Sequence, residues 1–164
     1  MTTYVGPLLL DADHLVETFD CGDAALNRWL HERAHQNRVE GGSRTWVVAV
    51  DRRVVAYYAS STAVLLRSDA SSRVRRNQPE PMPALLLGRL AVDLKSQVSG
   101  LGTALLKHFL LKAIEVAQLT GVRVLLVHAA DDRAAAWYRR FDFEPSPTDD
   151  LTLMLLVKDI AASL

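Results

Sequence analysis

QVSGLGTALL, residues 97–106, sets two glycines directly ahead of a leucine-rich segment. A turn from strand to helix needs no more than one glycine. Gly100 and Gly102 remove two side chains where the chain enters a helix, so a ligand can approach the backbone closely. The first N–H groups of a helix have no intrahelical partner and lie at the positive end of its dipole. A pyrophosphate placed there meets several donors at once. Spacing excludes two nucleotide loops. The triphosphate loop carries Gly-Lys-Ser/Thr ahead of its helix, and Lys107 comes too late. The dinucleotide fingerprint wants a third glycine where Leu105 stands. What remains is Gln-x-x-Gly-x-Gly, in Gln97, Gly100 and Gly102.

Working outward, ALLLGRLAVD (84–93) reads as a strand too apolar on both faces to lie at an exposed edge. From Gly102 onward, Leu105, Leu106, Phe109, Leu110, Ala113 and Ala117 mark an amphipathic helix that Gly121 stops. VRVLLVHA (122–129) is the next strand, DDRAAAWYRRF (131–141) a helix capped by Asp131 or Asp132, and LTLMLLVKD (151–159) a strand. The second half is therefore strand–helix–strand–helix–strand, an α/β arrangement. Upstream, VGPLLL (5–10) is a short strand candidate. Asp23 caps a helix through residue 40 that Gly41 and Gly42 end. TWVVAVDRRVVAYYAS (45–60) reads as two strands joined by Asp51, Arg52 and Arg53. RSDASSRVRRNQPEPMP (67–83) reads as a long polar loop without a core of its own. No repeat or linker divides the chain, so one domain is expected over residues 1–164.

The 164 residues are 49% hydrophobic and 23% charged, ordinary for a globular domain. The start shows no basic-then-apolar leader pattern, and no apolar run approaches the roughly 20 residues that span a bilayer. Cys21 is the sole cysteine, which rules out an internal disulfide or cysteine cluster and makes the cytoplasm the expected location. The net charge of zero hides an uneven spread. From Arg28 to Arg89 there are eleven arginines against five acids, a segment charge of +6. A neutral average can thus conceal a basic face.

The Gln-x-x-Gly-x-Gly spacing, between LGRLAVD and an amphipathic helix, resembles the acetyl-CoA site of the GNAT acetyltransferases, whose pattern is Arg/Gln-x-x-Gly-x-Gly/Ala. AAAWYRRFDF (134–143) resembles the family's A-x-x-x-Y-x-x-x-G-F helix, with Tyr138 at the tyrosine position. Asp142 stands where the family has glycine, and Asp tolerates a left-handed helix end better than most residues. FDCGDAALNRWLHERAHQNRVEGGSRTWVV (19–48) is similar to the N-terminal half of the TacT-type toxins, a GNAT branch, through Phe19, Gly22, Leu26, Trp29, Leu30, Gly42, Ser43, Arg44 and Thr45.

The resemblance implies the GNAT fold, a mixed central β-sheet flanked by helices with the acetyl-CoA loop at the N-terminus of the central helix. It implies that backbone around Leu90, Ala91 and Val92 meets the pantetheine arm. Gln97 belongs to the cofactor motif, and the amides of Val98, Ser99, Gly100, Leu101, Gly102 and Thr103 hold the pyrophosphate. It implies acetylation of the amino group of aminoacyl-tRNA, which stops translation, together with a ribbon-helix-helix antitoxin and a homodimer. The competing functions are acetylation of a protein or small-molecule amine, and a non-catalytic module that binds CoA or the antitoxin.

Buried helical tyrosines are commonly core residues. Beside a CoA loop, Tyr138 is instead expected to be catalytic, donating to the leaving thiolate. No general base stands out: His128 ends a strand, and His31, His35 and His108 show no ligand spacing, so no metal is expected. A lysine amine, with a pKa of about 10.4, benefits from a base, whereas an α-amino group at about 7.7–8.0 is already partly neutral. Arg73, Arg75 and Arg76 are the candidate tRNA phosphate contacts, helped by Arg89 and Lys95. Arg89 is also placed to touch the acceptor end. Trp137 and Cys21 read as packing residues.

Overall fold

The computed structural model describes residues 2–163, with side chains through 160. The expected domain limits, 1 and 164, lie outside the described residues. The strands are β1 (Val5–Leu9), β2 (Arg44–Val50), β3 (Arg53–Leu65), β4 (Met82–Val92), β5 (Val124–His128), β6 (Glu144–Ser146) and β7 (Asp149–Leu156). The helices are α1 (Ala24–Glu32), α2 (Ala34–Glu40), α3 (Ser72–Arg75), α4 (Leu101–Leu119) and α5 (Asp132–Arg139), with 3₁₀ turns at Arg67–Asp69, Leu94–Ser99 and Val157–Ser163. Among the described residues the sheet runs β1-β2-β3-β4-β5-β7-β6. It is mixed: β4 and β5 are parallel, while β1/β2, β2/β3, β5/β7 and β6/β7 are antiparallel.

The chain packs as two compact units. The first comprises Met1–Ser60 and Arg89–His108. Its core gathers Val16, Phe19, Leu30, Val47, Tyr57 and Ala91. The apolar faces of α1 and β2–β3 supply most of it, as their alternation requires. Asp23 caps α1 by accepting from the Ala25 and Leu26 amides. The expected single helix to residue 40 is broken at Arg33, whose backbone (φ −117°) leaves helical geometry between α1 and α2. Gly41, at φ 80°, ends α2 with its amide on the Asn37 carbonyl. Asp51 and Arg52 both have positive φ, giving the two-residue hairpin turn that matches strand twist, and Arg53 already belongs to β3.

The second unit comprises Ser61–Gly88 and Phe109–Leu164. Its core includes Leu65, Val74, Met82, Val124, Leu126 and Met154. This corrects the reading of 67–83 as a coreless loop. Ala70, Val74 and Met82 are essentially inaccessible, and Ser71 caps α3 by accepting from the Val74 amide. Three apolar residues among six arginines and acids are too sparse to reveal a period, so only the packed partner shows them as core. Gly121 does not stop α4: the helix ends at Leu119, and the Thr120 hydroxyl donates to the Val116 carbonyl while accepting from the Val122 amide. β6, absent from the sequence reading, pairs with β7.

Candidate functional site

The β4–β5 register runs from Ala84↔Val124 to Leu87↔Val127, and β4 continues to Val92. Leu90, Ala91 and Val92 therefore lie on strand backbone beyond that register. Asp93 then turns the chain. Its amide donates to the Val55 carbonyl, and its carboxylate accepts from the Asp20 and Lys95 amides. Sequence reasoning missed Asp93; the signal was an Asp two residues ahead of a polar turn, the pattern of an Asx cap. Gln97 has a role that the motif did not disclose. Its side-chain amide donates to the Val92 carbonyl at 3.0 Å and the Cys21 carbonyl at 3.3 Å. Gln97 thus ties the turn back to the strand end, and one lone pair of the Val92 carbonyl is already engaged.

Beyond Gln97 the turn is open. Val98 is fully exposed, Ser99 donates to the Ser96 carbonyl, and Gly100 takes φ 80°, a conformation that favours glycine. A Cβ built on Gly100 would meet nothing within 4 Å. Leu101 begins α4, and the Ala104 amide bonded to the Gly100 carbonyl is an i→i−4 link of its first turn. The N–H groups of Leu101, Gly102 and Thr103 come before that link, at the positive end of a 19-residue helix. Bare backbone, a left-handed glycine and a helix N-terminus converge here. Lys95 sits in the turn, exposed.

Among the described residues three tyrosines are buried, and their hydroxyls differ. Tyr57 donates to the Leu26 carbonyl at 2.7 Å. Tyr58 shares a 2.7 Å hydrogen bond with Nδ1 of His108. Tyr138, near the end of α5, has its ring edge-on to Trp137 and Phe143, and its hydroxyl joins none of the hydrogen bonds among the described residues. Burial pushes the Tyr138 hydroxyl well above the ordinary tyrosine pKa, so it stays protonated at neutral pH. Trp137 also packs edge-on against Phe141, as a packing residue should. Asp131 is the cap of α5, and Asp142 holds φ 70°, the left-handed turn expected where glycine is replaced.

The histidines have partners that explain them. His31 meets the Phe19 carbonyl and His35 the His14 carbonyl. Nδ1 of His128 lies 3.3 Å from the Thr152 hydroxyl, which donates to Asp149. Among the described residues no three His, Cys, Asp or Glu side chains gather as a metal site. No helix among the described residues is long and apolar enough to cross a membrane. Burial pushes the Cys21 thiol up, away from nucleophilic character.

The predicted phosphate contacts separate into kinds. Arg73 has one edge of its guanidinium engaged: Nε and Nη2 donate to Asp159 at 3.0 and 2.8 Å, in an exposed pair. Arg75 and Arg76 are exposed and make no ion pair among the described residues. Arg89 is half-buried and lies over the Trp29 ring, 4.6 Å from its centroid. A cleft of about 530 Å³ lies within the second unit, lined by Arg73, Arg139, Glu144, Phe143 and Asp159 among others. It includes neither Tyr138 nor the glycine turn.

Residues 41–145 match the family described as acetyltransferase (GNAT) domain. The chain is 47% identical over 163 residues to a tRNA-acetylating toxin of Mycobacterium tuberculosis, covering 99% of this chain and 98% of that one. AtaT complexed with acetyl-methionyl-tRNAfMet superposes with a TM-score of 0.86 at 25% identity, over 99% of this chain and 98% of that one. A Tyr-to-Phe mutant of AtaT bound to the C-terminus of the antitoxin AtaR gives 0.83 at 25% identity, over 98% and 95%. AtaTR bound with acetyl-CoA gives 0.82 at 26% identity, over 98% and 96%.

Proposed function

Because the chain belongs to the GNAT acetyltransferases, we propose that it moves the acetyl group of acetyl-CoA to the α-amino group of aminoacyl-tRNA, blocking translation as the toxin of a toxin–antitoxin pair. The observation that carries the cofactor assignment is the open turn, where left-handed Gly100 leads into the unpartnered amides of α4. The pyrophosphate sits on the amides of Val98 to Thr103, with Gln97 holding the turn rather than the ligand. The backbone of Leu90 to Val92 takes the pantetheine arm.

In the reaction the neutral amine attacks the thioester carbonyl to form the N–C bond, the C–S bond breaks as the thiolate takes a proton from its donor, and the proton shed by the new amide nitrogen restores that donor through water. Tyr138 is the donor to that thiolate. Two properties support the role: its hydroxyl has no intramolecular partner among the described residues, and burial keeps it protonated. The α-amino acceptor, partly neutral at pH 7, needs no strong base. Arg73, Arg75, Arg76, Arg89 and Lys95 meet the RNA backbone, Arg73 from a segment that its exposed pair with Asp159 also braces. A single acetyltransferase domain over the chain carries the reaction. The partners are a ribbon-helix-helix antitoxin and a second copy of the chain, and the reaction takes place in the cytoplasm with charged tRNA.

The test is labelled acetyl-CoA with charged tRNA, comparing wild type with Tyr138→Phe. The variant should bind acetyl-CoA normally and turn over about 10²–10⁴-fold more slowly. Equal rates would return Tyr138 to the core. Label transferred to proteins or polyamines but not to charged tRNA would favour the other acceptors.

A further inference from the structure

Arg89 is an unusual cation. It projects from β4 one residue before the strand segment assigned to the pantetheine arm. Its guanidinium lies 4.6 Å from the centre of the Trp29 ring, and it forms no ion pair with a carboxylate among the described residues. Trp29 in turn stacks on Tyr57, with centroids 5.8 Å apart and planes 14° from parallel. Phe19 meets Tyr57 edge-on at 5.4 Å, and the Tyr57 hydroxyl is fixed on the Leu26 carbonyl. The platform beneath the cation is thus locked at three points. Burial lowers the Arg89 pKa from its ordinary value, which reports the water it has lost. The ring face compensates only in part. If packing alone were at stake, a leucine would cover Trp29 without desolvating a charge. A partly dehydrated guanidinium over a rigid ring, with no carboxylate paired to it among the described residues, has the make-up of an anion receptor.

The acceptor chemistry identifies the anion. An aminoacyl ester has no free carboxylate, so the negative groups nearest its amine are the phosphodiesters just 5′ of the terminal nucleoside. A planar fork suits one of them bidentately, where an ammonium would act only as a point charge. We propose that Arg89, seated over Trp29, receives a backbone phosphate of the single-stranded 3′ end of the acceptor RNA and so positions the terminal aminoacyl group. This rests on the aminoacyl-tRNA reading given above. Arg89 is a positioning residue in this account, and the arginines of residues 67–83 serve more distant phosphates.

Two acceptors separate the roles: aminoacylated CpCpA trinucleotide, and aminoacyl-adenosine, which has no phosphate. Wild type should prefer the trinucleotide in kcat/KM. Arg89→Gln should lose about 10–100-fold on the trinucleotide, the worth of charge-assisted hydrogen bonds, and its preference between the two acceptors should collapse. Arg89→Lys should recover only part, because the charge returns without the fork. Calorimetry with unacylated CpCpA gives a readout independent of turnover. Arg89→Gln and Trp29→Leu should both weaken binding, and Arg89→Gln should lower the log–log salt slope by about 0.7. Thermal melts establish that each variant is folded. An equal loss on both acceptors, no loss on either, or unchanged CpCpA affinity would overturn the proposal. If Arg89-dependent CpCpA binding appears but charged tRNA is not acetylated, the phosphate receptor stands and the acceptor reading falls. If charged tRNA is acetylated equally by wild type and Arg89→Gln, the reverse holds.

Discussion

The turn at residues 94–103 and the arginine-rich segment at 67–82 are both polar connections flanking strands, yet they are built on opposite principles. In the turn the side chains withdraw: Val98 is fully exposed, Gly100 faces open space, and the groups on offer are backbone amides. In the arginine-rich segment the backbone is tied down by Ser71 and by the buried side chains of Ala70, Val74 and Met82, and the groups on offer are guanidinium forks. A pyrophosphate of fixed geometry can be met by rigid amides. An RNA backbone, presenting phosphates at variable positions, is better met by long cations on a packed base. The difference teaches that exposure alone does not mark a binding loop. What matters is which atoms the local fold leaves without partners.

The sharpest way to break the comparison is to fill the open turn. Gly100→Glu places a carboxylate in the turn proposed to hold the pyrophosphate, and nothing within 4 Å obstructs the new Cβ. Acetyl-CoA affinity should fall by at least about 100-fold by calorimetry, the loss of two or more charge-assisted hydrogen bonds. Melting should drop only modestly, from the strained φ. Undiminished affinity would remove the cofactor from this turn.

Val74→Ala tests the packed base. It should destabilise the protein by about 2 kcal/mol in urea unfolding, since a fully buried side chain leaves a cavity. Val98→Ala should stay within about 0.5 kcal/mol, because that residue is wholly exposed. Similar values for the two would erase the contrast between the regions.

Arg75→Gln with Arg76→Gln should weaken tRNA binding without altering acetyl-CoA affinity. The log–log salt slope should fall by about 0.7–0.9 for each phosphate no longer neutralised, similarly across tRNA species because phosphate contacts do not read bases. A wild-type slope would leave these arginines as solvated surface.

The smallest effect is expected at Asp159. Arg73 holds its carboxyl below the ordinary carboxylate pKa. The folded protein therefore binds that proton less readily than the unfolded chain. The ion pair's stabilisation is complete above the ordinary value of 3.8 and fades as the pH falls through the lower folded value. Asp159→Asn should lower Tm at neutral pH by no more than about 2 °C, since the pair is largely solvent-screened. The gap from wild type should close in acid. A gap that persists well below pH 3.8 would assign the effect to packing.

Much of the fold was legible because its signals are local. Asp23 and Asp131 announced their helices, Gly41 ended one, and Asp142 kept the left-handed turn in place of glycine. The glycine turn itself followed from spacing alone. The split of α1 from α2 at Arg33 was not legible, because apolar residues recur on both sides without interruption. Nor was the third helix, whose single buried valine shows no period.

The sequence by itself determined where the chain changes from strand to helix and which turn exposes its amides, because caps, glycines and periodicity act over a few residues. Only the tertiary structure decided how equivalent residues divide their labour. Tyr57 and Tyr58 spend their hydroxyls on Leu26 and His108, while Tyr138 keeps its own unengaged among the described residues. Arg73 is bound to Asp159, and Arg89 lies across Trp29. Those assignments depend on partners tens of residues away in sequence, and a side chain's chemistry is set by what surrounds it rather than by what precedes it.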